Sequence, residues 1–165
     1  MILPFVRDML ADAAKSPAFS RAAAHLKGGR GRIRLSGLTN TAKPLVYALL
    51  QHAIARPLIL LVANNRAAEE LLPILQSFCE LSGAANPDAV VYLPARDVLP
   101  FENLSPHPEI QEARAKALWR VASGGVSIVV APFASSAVLL REPGYYQDLG
   151  RVLRRGESLD LEQLV

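Results

Sequence analysis

Hydrophobic positions recur along this chain in two different rhythms. Near the start, Phe5, Val6, Met9, Leu10 and Ala13, then Phe19, Ala22, Ala23 and Leu26, fall at helical spacing. Ser16-Pro17 separates the two runs, and proline is tolerated in the first turn of a helix but not in its interior. The spacing therefore predicts two short helices, an N-terminal arm. Further on, short apolar runs alternate with helical stretches, the pattern of a parallel sheet flanked by helices.

Strands are expected at Ile33 to Leu38, Pro57 to Ala63, Ala89 to Leu93 and Val126 to Ala131, with helices at Lys43 to Ile54, Arg66 to Leu81 and Glu109 to Ala122. Asn64 or Asn65 is placed to cap the second of these helices. Pro73 inside it predicts a kink or a displaced start. The third is the most strongly patterned: Ile110, Ala113, Ala117, Leu118 and Val121 share a face. Glu109 and Glu112 stand near its N-terminus, and Arg114, Lys116 and Arg120 follow, the order the helix dipole favours.

After Pro132 the rhythm weakens. It predicts a short helix from Ser135 to Leu140, a turn at Glu142-Pro143-Gly144, a strand from Leu149 to Arg154 and a new helix at Asp160. The apolar face of that last helix, Leu161, Leu164 and Val165, is far shorter than the roughly 12–15 residues an isolated helix needs. The sequence is therefore expected to be part of a longer chain. Its expected organisation is an arm and basic linker over 1–31, an α/β core over 32–137, and the start of a second domain over 138–165.

Composition narrows the class. With 165 residues, 51% hydrophobic and 20% charged, the chain has enough apolar surface to fold as one main domain and does not resemble a disordered segment. A single cysteine, Cys79, excludes an intrachain disulfide, and its place between Phe78 and Leu81 predicts core packing. No apolar run approaches the ~20 residues of a membrane helix, and Arg7, Asp8 and Asp12 close behind Met1 do not make a secretory signal. The expectation is a cytoplasmic protein with no membrane partner.

The net charge of +3 permits contact with nucleic acid or an acidic surface without requiring it. The basic residues concentrate in Lys27-Gly-Gly-Arg-Gly-Arg-Ile-Arg34, which reads as a flexible, solvated boundary. Within it Arg30, Arg32 and Arg34 are the candidates for touching a phosphate or an acidic partner.

One segment carries the shape of a phosphate-binding motif. Gly37-Leu-Thr-Asn-Thr-Ala-Lys-Pro44 stands between an expected strand and an expected helix, and the Gly37-to-Lys43 spacing fits the Walker A pattern. Two positions depart from it. Ala42 replaces the second glycine, so a methyl group crowds the backbone around a phosphate; Pro44 replaces the hydroxyl that would hold magnesium and removes an N–H donor as well. No strand ends in Asp or Asp-Glu to complete a metal site, since Val126 to Ala131 runs into Pro132. Gly37, Thr39, Thr41, Ala42, Lys43 and Pro44 thus form a degenerate loop expected to bind no cofactor, with residual anion binding at the helix start as the alternative.

Other chemistry-bearing side chains have plainer readings. His107 lies between Pro106 and Pro108 beside Glu109, at the start of a helix, with no nucleophile nearby in sequence. His25 and His52 fall in helical stretches as surface or boundary residues, and three histidines with one cysteine give no metal-ligand spacing. Tyr145-Tyr146 behind Pro143-Gly144 suits the cover of a domain edge better than base stacking.

The order Leu35-Ser-Gly-Leu-Thr39, Pro57 to Val62, Leu93-Pro-Ala-Arg-Asp-Val-Leu-Pro-Phe-Glu102 and Leu104-Ser-Pro-His-Pro-Glu-Ile110 resembles the N-terminal region of the bacterial transcription-repair coupling factors, the Mfd family. The likeness continues through Val129-Val-Ala-Pro132 and Arg155-Gly-Glu-Ser-Leu-Asp-Leu161. The resemblance implies a UvrB-like core (similar to UvrB domain 1a) with the phosphate loop lost. It also implies a domain inserted from about Val138 that docks UvrA, and a role as a scaffold that recruits UvrA and restrains a distant motor. RNA polymerase and DNA would be engaged by regions outside this chain. UvrB's aromatic-rich hairpin has no counterpart in Pro94 to Pro108, so stacking on damaged bases is not implied.

Overall fold

The computed structural model describes residues 4–29, 31–83, 85–98, 102, 104–150, 152 and 155–156. Helices α1 (Pro4–Lys15) and α2 (Pro17–Lys27) form the arm, with Ser16 between them as a cap whose hydroxyl accepts from the Phe19 N–H at 3.3 Å. The arm is packed rather than free: α1 lies on α4 (Asn65–Ser82) and α2 on α3 (Ala42–Ile54).

Strands β1 (Leu58–Val62), β2 (Val90–Tyr92) and β3 (Ile128–Pro132) make a three-stranded parallel sheet in the order β1-β3-β2. The register pairs Leu58 and Val90 with Ile128 from opposite sides, so β3 is central. Helix α4 makes the crossing from β1 to β2, reached through a 3-10 turn at Pro87–Ala89, and α5 (Pro108–Ser123) makes the crossing from β2 to β3. Two short helices follow, α6 (Phe133–Ser136) and α7 (Pro143–Asp148), the latter packed on α5.

Alternation along the strands splits the core in two, because successive side chains point to opposite faces. Val90, Ile128 and Val130 meet Ala48 of α3 and Ala68, Leu75 and Cys79 of α4. Val91, Leu93 and Ala131 meet Ala117 of α5 on the other face. α5 packs over β2 on that second face; Ile59 and Leu61 of β1 stay 70% and 52% exposed.

Several expectations are corrected. Ile33 to Leu38 is irregular chain rather than a strand; it pairs with no strand among the described residues, and only Ile33 and Leu38 are partly buried. The edge of β1 away from β3 carries no ladder among the described residues, and the segment lies instead beside α2 and α3, where Ile33 and Leu38 line a cavity with Phe19, Ala22 and Leu49. Pro73 neither displaces nor ends α4, which starts at Asn65 under an Asn64 cap and runs through Ser82. Pro73 is exposed, so the carbonyl it leaves without an N–H partner faces water. The helix expected from Ser135 to Leu140 starts two residues earlier and ends at Ser136, and the turn at Glu142 to Gly144 is the beginning of α7, with Pro143 in its first turn. The strand expected over Leu149 to Arg154 is absent at its described residues, 149, 150 and 152, and the helix expected at Asp160 lies outside the described residues.

Candidate functional site

The loop that resembles a phosphate cradle is built as a helix start. Gly37 takes φ 78°, which favours glycine, and turns the chain toward α3. The Thr39 hydroxyl then accepts from the Ala42 N–H at 3.1 Å, and the Thr39 carbonyl accepts from the Lys43 N–H at 3.1 Å. Thr41, next to the helix, makes no side-chain cap, so Thr39 does that work from two positions further back. Two of the N–H donors at the helix start are thus used inside the turn. The Lys43 ammonium donates to the Asn40 carboxamide oxygen at 3.1 Å, and Pro44 is buried among α3's inward residues. The structure therefore brings Gly37, Thr39, Ala42, Lys43 and Pro44 into one turn, with Thr41 at its exposed edge.

The basic stretch is solvated where it is described. Arg32 and Arg34 are exposed, and Arg30 lies outside the described residues. Before them, Arg56 donates to the Lys27 carbonyl at 3.4 Å. Gly31 has φ 108° and passes so close to the His25 ring that an added methyl group would lie 2.8 Å from its Nε2.

The most elaborate polar arrangement lies at the carboxyl ends of the strands. The Asn65 carboxamide donates to the Ala95 carbonyl at 3.2 Å and accepts from the Ala95 N–H at 2.8 Å, standing in for a strand neighbour beyond β2. Ser135, buried, donates its hydroxyl to the Leu93 carbonyl at 3.0 Å. Arg114, only 6% exposed, donates through Nη1 to the Pro94 carbonyl and to the Ser135 hydroxyl. Residues following all three strands are thus tied together by side chains from α4, α5 and α6, in the crevice where open parallel sheets carry their sites.

Sequence reasoning missed this knot. Arg114 reads as one of the cations suited to the later part of a helix, yet it points inward and burial lowers the pKa of its guanidinium, with Arg96 adding repulsion. Of the two asparagines before α4, Asn64 is the cap and Asn65 the strand mimic. The apolar face expected on α5 holds at Ile110, Ala113, Ala117 and Leu118, with Arg114 joining it, and fails at Val121, which is 43% exposed.

His107 caps α5. Its Nδ1 accepts from the Glu109 N–H at 3.4 Å, Pro108 follows in the first turn, and the Asp97 carboxylate accepts from the His107 N–H at 3.2 Å. Cys79 is fully buried, which pushes its thiol pKa up and leaves it protonated at neutral pH. Tyr145 and Tyr146 meet edge to face at 5.3 Å, and Arg141 stacks on Tyr145 at 4.5 Å. Among the described residues no group of three His, Cys, Asp or Glu could hold a metal ion, and no helix is long and apolar enough to cross a membrane.

The fold is thus a small α/β layer with a polar crevice at its strand ends. In sequence the chain is similar to the transcription-repair-coupling factor of Myxococcus xanthus, 31% identical over 106 residues. That match takes in 64% of this chain and 9% of the Myxococcus protein's length. The chain therefore carries a region related to the transcription-repair coupling factors, as the residues of the loop and of the Leu93 to Ile110 stretch imply. No protein-family model and no solved structure matches it.

Proposed function

We propose that this chain is a non-catalytic, partner-binding module of a transcription-repair coupling factor, acting in the cytoplasm in nucleotide excision repair. The observation that carries the reading is the inward-turned loop: the Ala42 and Lys43 N–H groups are held by Thr39, the Lys43 ammonium is held by Asn40, and Pro44 is buried. A phosphate loop works by presenting free N–H groups and a lysine to the ligand, and here the lysine and two of those N–H groups are committed to the turn. The relationship to the coupling factors supports the setting. On this reading residues 32–137 are a UvrB-like core and 138–165 begin a UvrA-docking domain. RNA polymerase and DNA are engaged elsewhere in a longer protein, whose motor this module restrains.

A calorimetric titration with ATP, with and without magnesium, tests the reading. No binding at millimolar nucleotide is the expected result. Magnesium-dependent binding or turnover that Lys43→Ala abolishes would overturn it in favour of a nucleotide-driven enzyme.

A further inference from the structure

Beyond Arg114 the knot opens on a cleft of about 780 Å³ between α5 and the segment that carries α7. Arg114 lines it and engages partners only through Nη1, both of them neutral oxygens, so its charge is buried with no carboxylate on it among the described residues. A buried charge without a counter-ion is costly. Arg96, exposed and likewise without an ion pair among the described residues, lines the same cleft, as does Lys116; among the described residues Glu112 is the single acid on the wall. The opposite wall is apolar and open, with Leu139 98%, Leu149 65% and Tyr145 39% exposed.

We infer that this cleft docks an acidic segment of a partner protein, a carboxylate meeting the guanidinium groups of Arg114 and Arg96 and an adjoining apolar side chain lying against Leu139, Leu149 and Tyr145. Charge complementarity selects an anion, since among the described residues three cations face one acid. Donor geometry selects a carboxylate over a phosphate. The stretch of α5 on the cleft, Gln111 to Trp119, is helix interior whose backbone N–H groups are spent, so a phosphate would find few of the backbone donors that usually complete its site. A carboxylate needs only the free edge of one planar guanidinium. Burial and the neighbouring Arg96, which together lower the Arg114 pKa, mark the same uncompensated charge. This inference rests on the partner-binding reading and gives it a location and a chemistry.

Trp119, the only tryptophan in the chain, lines the cleft and reports its occupancy by fluorescence. The full 165-residue chain would be titrated with a short synthetic peptide alternating Asp and Leu, and with the matching Asn and Leu peptide. The acidic peptide is expected to give a saturable shift in Trp119 emission, and the neutral peptide none. Arg96→Glu, an exposed substitution that leaves the knot intact, is expected to weaken binding by about tenfold or more, the loss of one charge-assisted contact. Leu139→Asp is expected to weaken it as well. Equal binding of the neutral peptide, an unchanged affinity in Arg96→Glu, no shift with either peptide, or tighter saturation by inorganic phosphate or AMP would each overturn the inference. Capture of UvrA that survives Arg96→Glu would overturn the cleft as the docking site while leaving the partner-binding reading in place; failure of the chain to bind UvrA at all would count against that reading itself.

Discussion

Two polar regions of this protein invite comparison, the loop from Gly37 to Pro44 and the knot around Asn65, Arg114 and Ser135. The loop has the recognisable spacing, but its side-chain bonds are local, each joining residues three apart on an exposed turn. The knot has no motif, yet its bonds join residues 20 to 42 apart and most are buried or partly buried. A spacing pattern records where a chain can turn. Where free energy is concentrated depends on which polar groups have been removed from water and must find partners there.

The comparison is sharpest at Asn65. Asn65→Ala removes both bonds to Ala95 and leaves that residue's N–H and carbonyl unpaired beside the core. It is expected to cost about 2–3 kcal/mol, read as a lower urea midpoint at unchanged slope. Ser135→Ala strands only the Leu93 carbonyl and weakens the seat of Arg114, so about 1–2 kcal/mol is expected by the same measurement. On the loop side, Thr39→Ala frees the Ala42 N–H to water and is expected to cost about 0.5–1 kcal/mol, the usual value of an exposed cap. A loss from Thr39→Ala as large as that from Asn65→Ala would break the contrast between the regions.

Tyr92 has the smallest effect at neutral pH. Its hydroxyl is buried beside the Glu69 carboxylate, and burial first, with the carboxylate's charge second, pushes its pKa up to about 12 from an ordinary value of 10.0. The folded chain therefore holds this proton more tightly than the unfolded chain does. The stability it contributes is present below pH 10 and is lost as pH rises toward 12. Tyr92→Phe is expected to change the midpoint little at pH 7 and to flatten the decline between pH 10 and 12. An equal decline in the variant would mean that another group governs the alkaline limb.

Much of the framework is legible in the residues alone. Helices α1 to α5 and strands β1 to β3 fall within a few residues of their expected places, because their apolar rhythms and their helix-start signals at Ser16, Asn64 and His107-Pro108 act over a single turn or a single pleat. The strand expected at Ile33 to Leu38 fails for the complementary reason. Its pattern is locally adequate, but the edge of β1 carries no ladder with it among the described residues, and the segment packs beside α2 and α3 instead, a choice made by tertiary packing.

The candidate sites divide along the same line. The substitutions Ala42 and Pro44 already argue in sequence against a working phosphate loop, since their effects are steric and local. Arg114 carries no such mark. Whether an arginine on an amphipathic helix faces water or the sheet depends on what it meets once α5 settles on Leu93 and Ala131, here the Pro94 carbonyl and the Ser135 hydroxyl. The sequence by itself determined the elements, the degenerate turn and the kinship with coupling factors, all properties of neighbouring residues or of their order. The tertiary structure alone decided the strand order, the burial of Arg114 and the cleft beside it, because these arise from groups far apart in the chain that must satisfy one another once water is excluded.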